Sequence, residues 1–166
     1  MRAAALLLPM LLAACGLKPM YAGGGDGQVA RGLASIEVSE IEGRAGWLVR
    51  HALIDRFTAG GGKQAPQYRL DVRLDDKLEG FALLSDDTIG RERRTLRARY
   101  QLVDTASGRI VLDGTAASDA GIDVVSSDYA TIAAEQTALE NLATDAANRI
   151  LTGVALELRG SGSGEP

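Results

Sequence analysis

Residues 68–75, Tyr68-Arg-Leu-Asp-Val-Arg-Leu-Asp75, alternate apolar and charged side chains without a break. Side chains of a strand point to opposite faces in turn, so Tyr68, Leu70, Val72 and Leu74 share one face while Arg69, Asp71, Arg73 and Asp75 share the other. A strand of this kind needs a cover on one side only, and that requirement decides the fold class.

Downstream the same alternation returns. Leu96, Ala98, Tyr100 and Leu102 make the apolar face of a third strand, with Arg97, Arg99 and Gln101 opposite. Asp104-Thr-Ala-Ser-Gly108 is a turn, after which Ile110 and Leu112 restart the pattern, so strands three and four form an antiparallel hairpin. Ser126-Ser127-Asp128 offers capping oxygens to a helix from about Tyr129 to Leu151, striped by Ile132, Leu139, Ala143, Ala146 and Ile150. Upstream, Ala45 to Thr58 fits a helix in which Val49, Leu53 and Phe57 recur every fourth residue, closed by Gly60-Gly61-Gly62. Ser35 to Ile41 reads as a short first strand. The expected architecture is α+β: a four-stranded mixed sheet with two helices packed on one face, in the order β-α-β-β-β-α.

The ends of the chain carry a different message. Arg2, the apolar run Ala3–Ala14 and the tetrapeptide Leu12-Ala-Ala-Cys15 have the form of a secretory leader closing on a lipoprotein processing site. The run falls short of the roughly 20 apolar residues a bilayer-spanning helix needs. Residues 1–14 are therefore expected to be removed, leaving Cys15 as the lipidated first residue. Cys15 is the one cysteine of the chain, so no intrachain disulfide competes for it. Diacylglycerol and an N-acyl chain on that residue are more than one acyl group, which is what stable anchoring requires. Gly16, rather than an aspartate that would retain the protein at the inner membrane, points to the periplasmic face of the outer membrane. Residues 15–32, rich in glycine, read as a flexible tether, 33–159 as a single domain, and 160–166 as a disordered tail.

Composition narrows the function further. The chain has 166 residues, a net charge of −4 and only 4% aromatic residues, which speaks against nucleic acid and against stacked bases or sugars. The inventory for catalysis is thin. His51 is the one histidine, placed on a helix flank, and no Gly-x-Ser-x-Gly elbow or phosphate-binding loop is present, so no enzyme is expected. Asp75-Asp76 and Asp86-Asp87 could suggest a metal, but neighbouring strand carboxylates diverge, so no metal and no cofactor beyond the lipid is expected.

Several local features act together. The lipidation site followed by Gly16-Leu-Lys-Pro-Met-Tyr21, the order of elements, and Ser127-Asp-Tyr-Ala130 opening an alanine-rich last helix resemble the LptE-type lipopolysaccharide-assembly lipoproteins in their alphaproteobacterial form. The resemblance implies an outer-membrane lipoprotein that plugs an LptD-type β-barrel translocon, helps assemble it, and assists insertion of lipopolysaccharide into the outer leaflet. An auxiliary lipoprotein of an ABC-type phospholipid or solvent transport system is the alternative, and a lipid-anchored hydrolase a third possibility.

Arginine phasing supplies the candidate site. Arg91, Arg93, Arg97 and Arg99 share parity, and Arg69 and Arg73 occupy the polar face of the preceding strand. Two readings stay open: cross-strand pairing with Asp71 and Asp75, or recognition of phosphates, which guanidinium groups grip bidentately. Arg91 and Arg93, with Arg94 as a third, sit beside an expected loop tip at Asp86–Gly90 and are the candidate contacts for lipid A or core phosphates.

Overall fold

A computed structural model of the chain describes residues 27–60, 62, 64–83 and 89–161. The alternating segment at 68–75 is the start of a strand twice that length. The elements are α1 (Gln28–Ala34), β1 (Ile36–Val38), α2 (Gly43–Thr58), β2 (Tyr68–Leu83), β3 (Ile89–Asp104), β4 (Ile110–Asp123) and α3 (Asp128–Ser161). The sheet order is β1-β2-β3-β4, with β1 parallel to β2 and the other neighbours antiparallel. Parallel pairing of β1 with β2 needs a crossover, which α2 provides.

The register follows from hydrophobic matching. Leu70 stands opposite Leu102, Val72 opposite Tyr100 and Leu74 opposite Ala98, while Ala98 faces Ala116 on its other side. Sliding either pairing by one residue would turn this apolar set to water. Together with Val49, Leu53 and Phe57 of α2 and Ala143, Ala146, Ile150 and Val154 of α3, these side chains form one core. Alanines let the long helix come close to the sheet, and Tyr100 fills the remaining gap. Its ring lies where a Cβ on Gly114 of β4 or Gly153 of α3 would be, 2.6 Å and 2.4 Å from the phenol oxygen.

At the β3–β4 turn, Asp104 accepts the Ser107 amide at 2.7 Å and Gly108 takes φ +70°, a conformation glycine adopts without cost. At the start of α3, the Ser127 hydroxyl accepts the Ala130 amide at 3.4 Å, as its sequence position suggests.

The structure corrects the sequence reading at both ends of the domain. Residues 28–32, expected to belong to a tether spanning 15–32, form most of α1, a helix that buries Val29 and Leu33. Gly32 comes within contact of Leu158, so tertiary packing holds a helix too short to stand alone. Three helices, not two, therefore accompany the sheet. The last helix, expected to stop near Leu151, continues through Ser161 because Val154 and Leu158 extend the stripe of Ile150. Residues 160 and 161, expected in the tail, are its last positions. The first strand is shorter than expected, Ile36–Val38, and Ile132 stands exposed instead of in the core. Cys15, the leader, the remainder of the tether and tail, and most of the expected loop tip lie outside the described residues.

Candidate functional site

The face of the sheet turned away from the helices is a field of alternating charges. From β2 it receives Arg69, Asp71, Arg73, Asp75, Lys77 and Glu79, and from β3 Gln101, Arg99, Arg97, Arg93 and Arg91. Asp113, Asp119 and Asp123 of β4 border it on the far side. The period of two places these groups together, and the long hairpin lines them up.

Three of the six arginines on this face, Arg69, Arg91 and Arg99, have carboxylate partners. Arg69 grips Asp71 along its own strand, Nη2 to Oδ2 at 3.0 Å, and the Ser39 hydroxyl donates to the same carboxylate at 2.6 Å. These donors hold the Asp71 carboxyl below the ordinary aspartate range, with Arg69 the larger influence and burial opposing it. Arg99 pairs with Asp113 at 3.0 Å, and Gln101 donates to the same oxygen at 2.7 Å. Asp113 is lowered in turn, first by Arg99 and then by Gln101. Arg91 pairs with Asp123 at 2.8 Å. Two of these partners, Asp113 and Asp123, lie on β4 and not among the Asp71 and Asp75 pairs suggested by the sequence, because β3 is an interior strand with β4 as well as β2 beside it.

The three candidate arginines separate. Arg91 and Arg93 are exposed on the open face. Arg93 stands opposite Glu79, its guanidinium carbon 5.2 Å from the centre of the Phe81 ring. Arg94, of opposite parity, points to the helical side. It holds Asp76 with two bonds of 2.9 Å and 2.7 Å and donates to the Glu135 carbonyl of α3 at 3.1 Å. With its side chain only 16% exposed, Arg94 braces the sheet against α3. Asp75 and Asp76 thus diverge to opposite faces, as neighbouring strand residues must.

A groove of about 670 Å³ opens where β1 ends, between Ser39–Glu42 and Asp71–Leu74, with Arg99 and Gln101 on its floor. His51 lies on the exposed flank of α2, its Nδ1 2.9 Å from the Trp47 carbonyl and its ring 4.2 Å from the indole. Neither feature gathers a nucleophile with a base. Among the described residues no cluster of histidine, cysteine and carboxylate groups could hold a metal, and no helix is long and apolar enough to cross a membrane.

With this geometry in place, the model for LptE, lipopolysaccharide-assembly, matches residues 33–153. The chain belongs to the LptE family. Solved structures agree with that assignment. A candidate lipoprotein from Caulobacter crescentus is similar at 28% identity and TM-score 0.67, over 84% of this chain and 99% of that one. Rare lipoprotein B from Shewanella oneidensis is similar at 14% identity and TM-score 0.55, over 77% and 97% of the two chains. A minor lipoprotein from Acinetobacter baumannii is similar at 13% identity and TM-score 0.54, over 74% and 92%. The last two likenesses concern the fold. No curated protein matches the chain. Membership of the LptE family places this protein in lipopolysaccharide assembly. The match begins at residue 33, so most of α1 precedes it.

Proposed function

We propose that this LptE-family protein is a lipid-anchored outer-membrane subunit that sits as a plug within an LptD-type β-barrel, assists its assembly, and helps deliver lipopolysaccharide to the outer leaflet. The observation that carries the proposal is the family match across 33–153, nearly the whole folded domain. In this reading the leader and Cys15 supply the anchor, and the sheet and helices the body that seats in the barrel.

Within this function, Arg91 and Arg93 are the groups offered to lipid A or core phosphates. Both are exposed at the far end of the hairpin, and Arg93, opposite Glu79 but not within ion-pair distance of it, has the Phe81 ring against its guanidinium, so a phosphate can reach it without breaking an ion pair among the described residues. Arg91 would exchange Asp123 for a phosphate, a swap between two exposed anions at little cost. Arg94 is committed to Asp76 and supports the platform from behind.

Purification of the native lipoprotein from detergent-solubilised outer membrane tests the central claim. One large β-barrel is expected at near equal stoichiometry. Recovery of the protein alone, under conditions that keep other outer-membrane complexes intact, would refute it, and recovery with an inner-membrane transporter would favour an auxiliary transport lipoprotein.

A further inference from the structure

One side of β2 is covered over only part of its length. β1 pairs with Tyr68–Leu70, and the Ser39 amide donates to the Leu70 carbonyl at 3.0 Å. Beyond that point no described strand lies on this side, although β3 stays paired on the other as far as Leu83. Main-chain groups of alternate strand residues point to the same side. Since the Leu70 carbonyl points toward β1, those of Val72, Leu74, Asp76 and Leu78 point out over the free edge. Asp76 illustrates this: its side chain is only 24% exposed, yet the residue as a whole is exposed through its backbone.

The side chains along this edge are antisymmetric in charge. When Arg73-Leu-Asp-Asp-Lys-Leu-Glu79 is laid antiparallel against itself about Asp76, Arg73 meets Glu79, Asp75 meets Lys77, and Leu74 meets Leu78. The charged pairs fall on the open face, in the non-hydrogen-bonded positions where side chains approach closely. Leu78, 42% exposed, gains an apolar neighbour on the other face. At the centre Asp76 meets its own copy, but each carboxylate is already held by two bonds from Arg94.

We propose that β2 pairs edge to edge with β2 of a second copy of this chain, about a two-fold axis at Asp76, forming one continuous sheet. Only an isologous contact uses a pattern complementary to its own reversal. The charges rule out the neighbouring registers. A slip of two residues one way sets Arg73 against Lys77 and Asp75 against Asp75; the other way it sets Asp75 against Glu79 and Lys77 against Lys77. Charges on an edge strand normally deter pairing, and these deter the adjacent registers, whereas a slip of four residues restores opposite charges but runs the partner strand onto β1 at Tyr68–Leu70 one way and onto the irregular segment beyond Gly80 the other. The groove beside Val72 and Leu74 leaves room for the partner strand as it runs out through Gly80. This contact does not rest on the barrel and lipopolysaccharide assignments above, and it belongs to copies not seated in a barrel, where a second copy can reach the edge.

Sedimentation of the full lipidated chain, with micelles in large excess over protein, tests the pairing. A concentration-dependent dimer is expected. Lys77→Asp should raise its dissociation constant at least tenfold, and adding Asp75→Lys should restore it to within about threefold of the parent, because the exchanged charges again face opposite signs. A parent that stays monomeric, a Lys77→Asp dimer as tight as the parent's, or a double variant no better than the single one would each overturn the proposal. Amide exchange on the unaltered chain provides a second measurement that does not depend on how the variants fold. Protection of the Leu74 and Leu78 amides should rise with protein concentration. Exchange independent of concentration, or protection only when a barrel is added, would overturn the second-copy assignment.

Discussion

Arg93 and Arg94 are adjacent in sequence and opposite in consequence. A strand sends neighbouring side chains to opposite faces, so Arg93 meets water and Phe81 while Arg94 meets Asp76 and the backbone of α3. Replacing both Arg91 and Arg93 with glutamate is expected to weaken lipopolysaccharide binding at least tenfold, since a charge-assisted hydrogen bond contributes roughly 1.5–3 kcal/mol, with little change in melting temperature. Arg94→Met should do the reverse, lowering stability by about 2 kcal/mol by leaving Asp76 unpaired while sparing binding. Calorimetric unfolding and lipopolysaccharide titration of the two variants check the division, and equal binding by the double variant and the parent would leave those arginines a purely structural role. Asp71 adds a pH dependence. Its folded carboxyl titrates below the ordinary value of 3.8, so the stability it contributes is complete above that value and is lost as pH falls through the lowered one. Thermal melts from pH 6 to pH 2 should show a shallower acid loss for Asp71→Asn than for the parent. The sequence supplied the arginines and their parity. Their partners on β4 could not be read from it, because they depend on strand order and register.

At the scale of elements, the contact that sets the spacing of sheet and helix is Tyr100 between Gly114 and Gly153. A Cβ on Gly153 would lie 2.4 Å from the phenol oxygen but 3.4 Å from the next ring atom, whereas one on Gly114 would lie 2.6 Å from both the oxygen and the ring carbon that bears it. Gly153→Ala is thus expected to destabilise by about 1–2 kcal/mol, overpacking outweighing the gain in helix propensity. Tyr100→Phe should rescue Gly153→Ala and fail to rescue Gly114→Ala. A double-mutant cycle by denaturant unfolding measures both, and equal rescue at the two glycines would contradict this packing. Periodicity made β2, β3, β4, α2 and the body of α3 legible, since each repeats its apolar positions over several turns or pleats. The helix α1 was not legible. Its two anchors, Val29 and Leu33, sit in a glycine-rich stretch whose composition suggests a tether, and only α2 and the far end of α3, distant along the chain, give the helix something to pack on.

For the whole molecule, the proposed anchor at Cys15 would govern where this LptE-family domain acts. Cys15→Ala is expected to accumulate as an unlipidated, full-length precursor, detected by loss of palmitate labelling and of membrane fractionation; normal maturation of that variant would defeat the lipidation assignment. The expectation rests on local chemistry alone, since a leader and a processing site are recognised as short linear words. The sequence by itself likewise determined the α+β class, the one-sided strands and the family, because alternation and helical spacing are local and the core demands a cover for every apolar face. Only the tertiary structure decided which edge of the sheet stays open, that Arg94 braces while Arg91 and Arg93 face solvent, and that residues 28–34 are helical. Each of those depends on which segments, distant along the chain, meet across the core, and neither periodicity nor composition encodes that meeting.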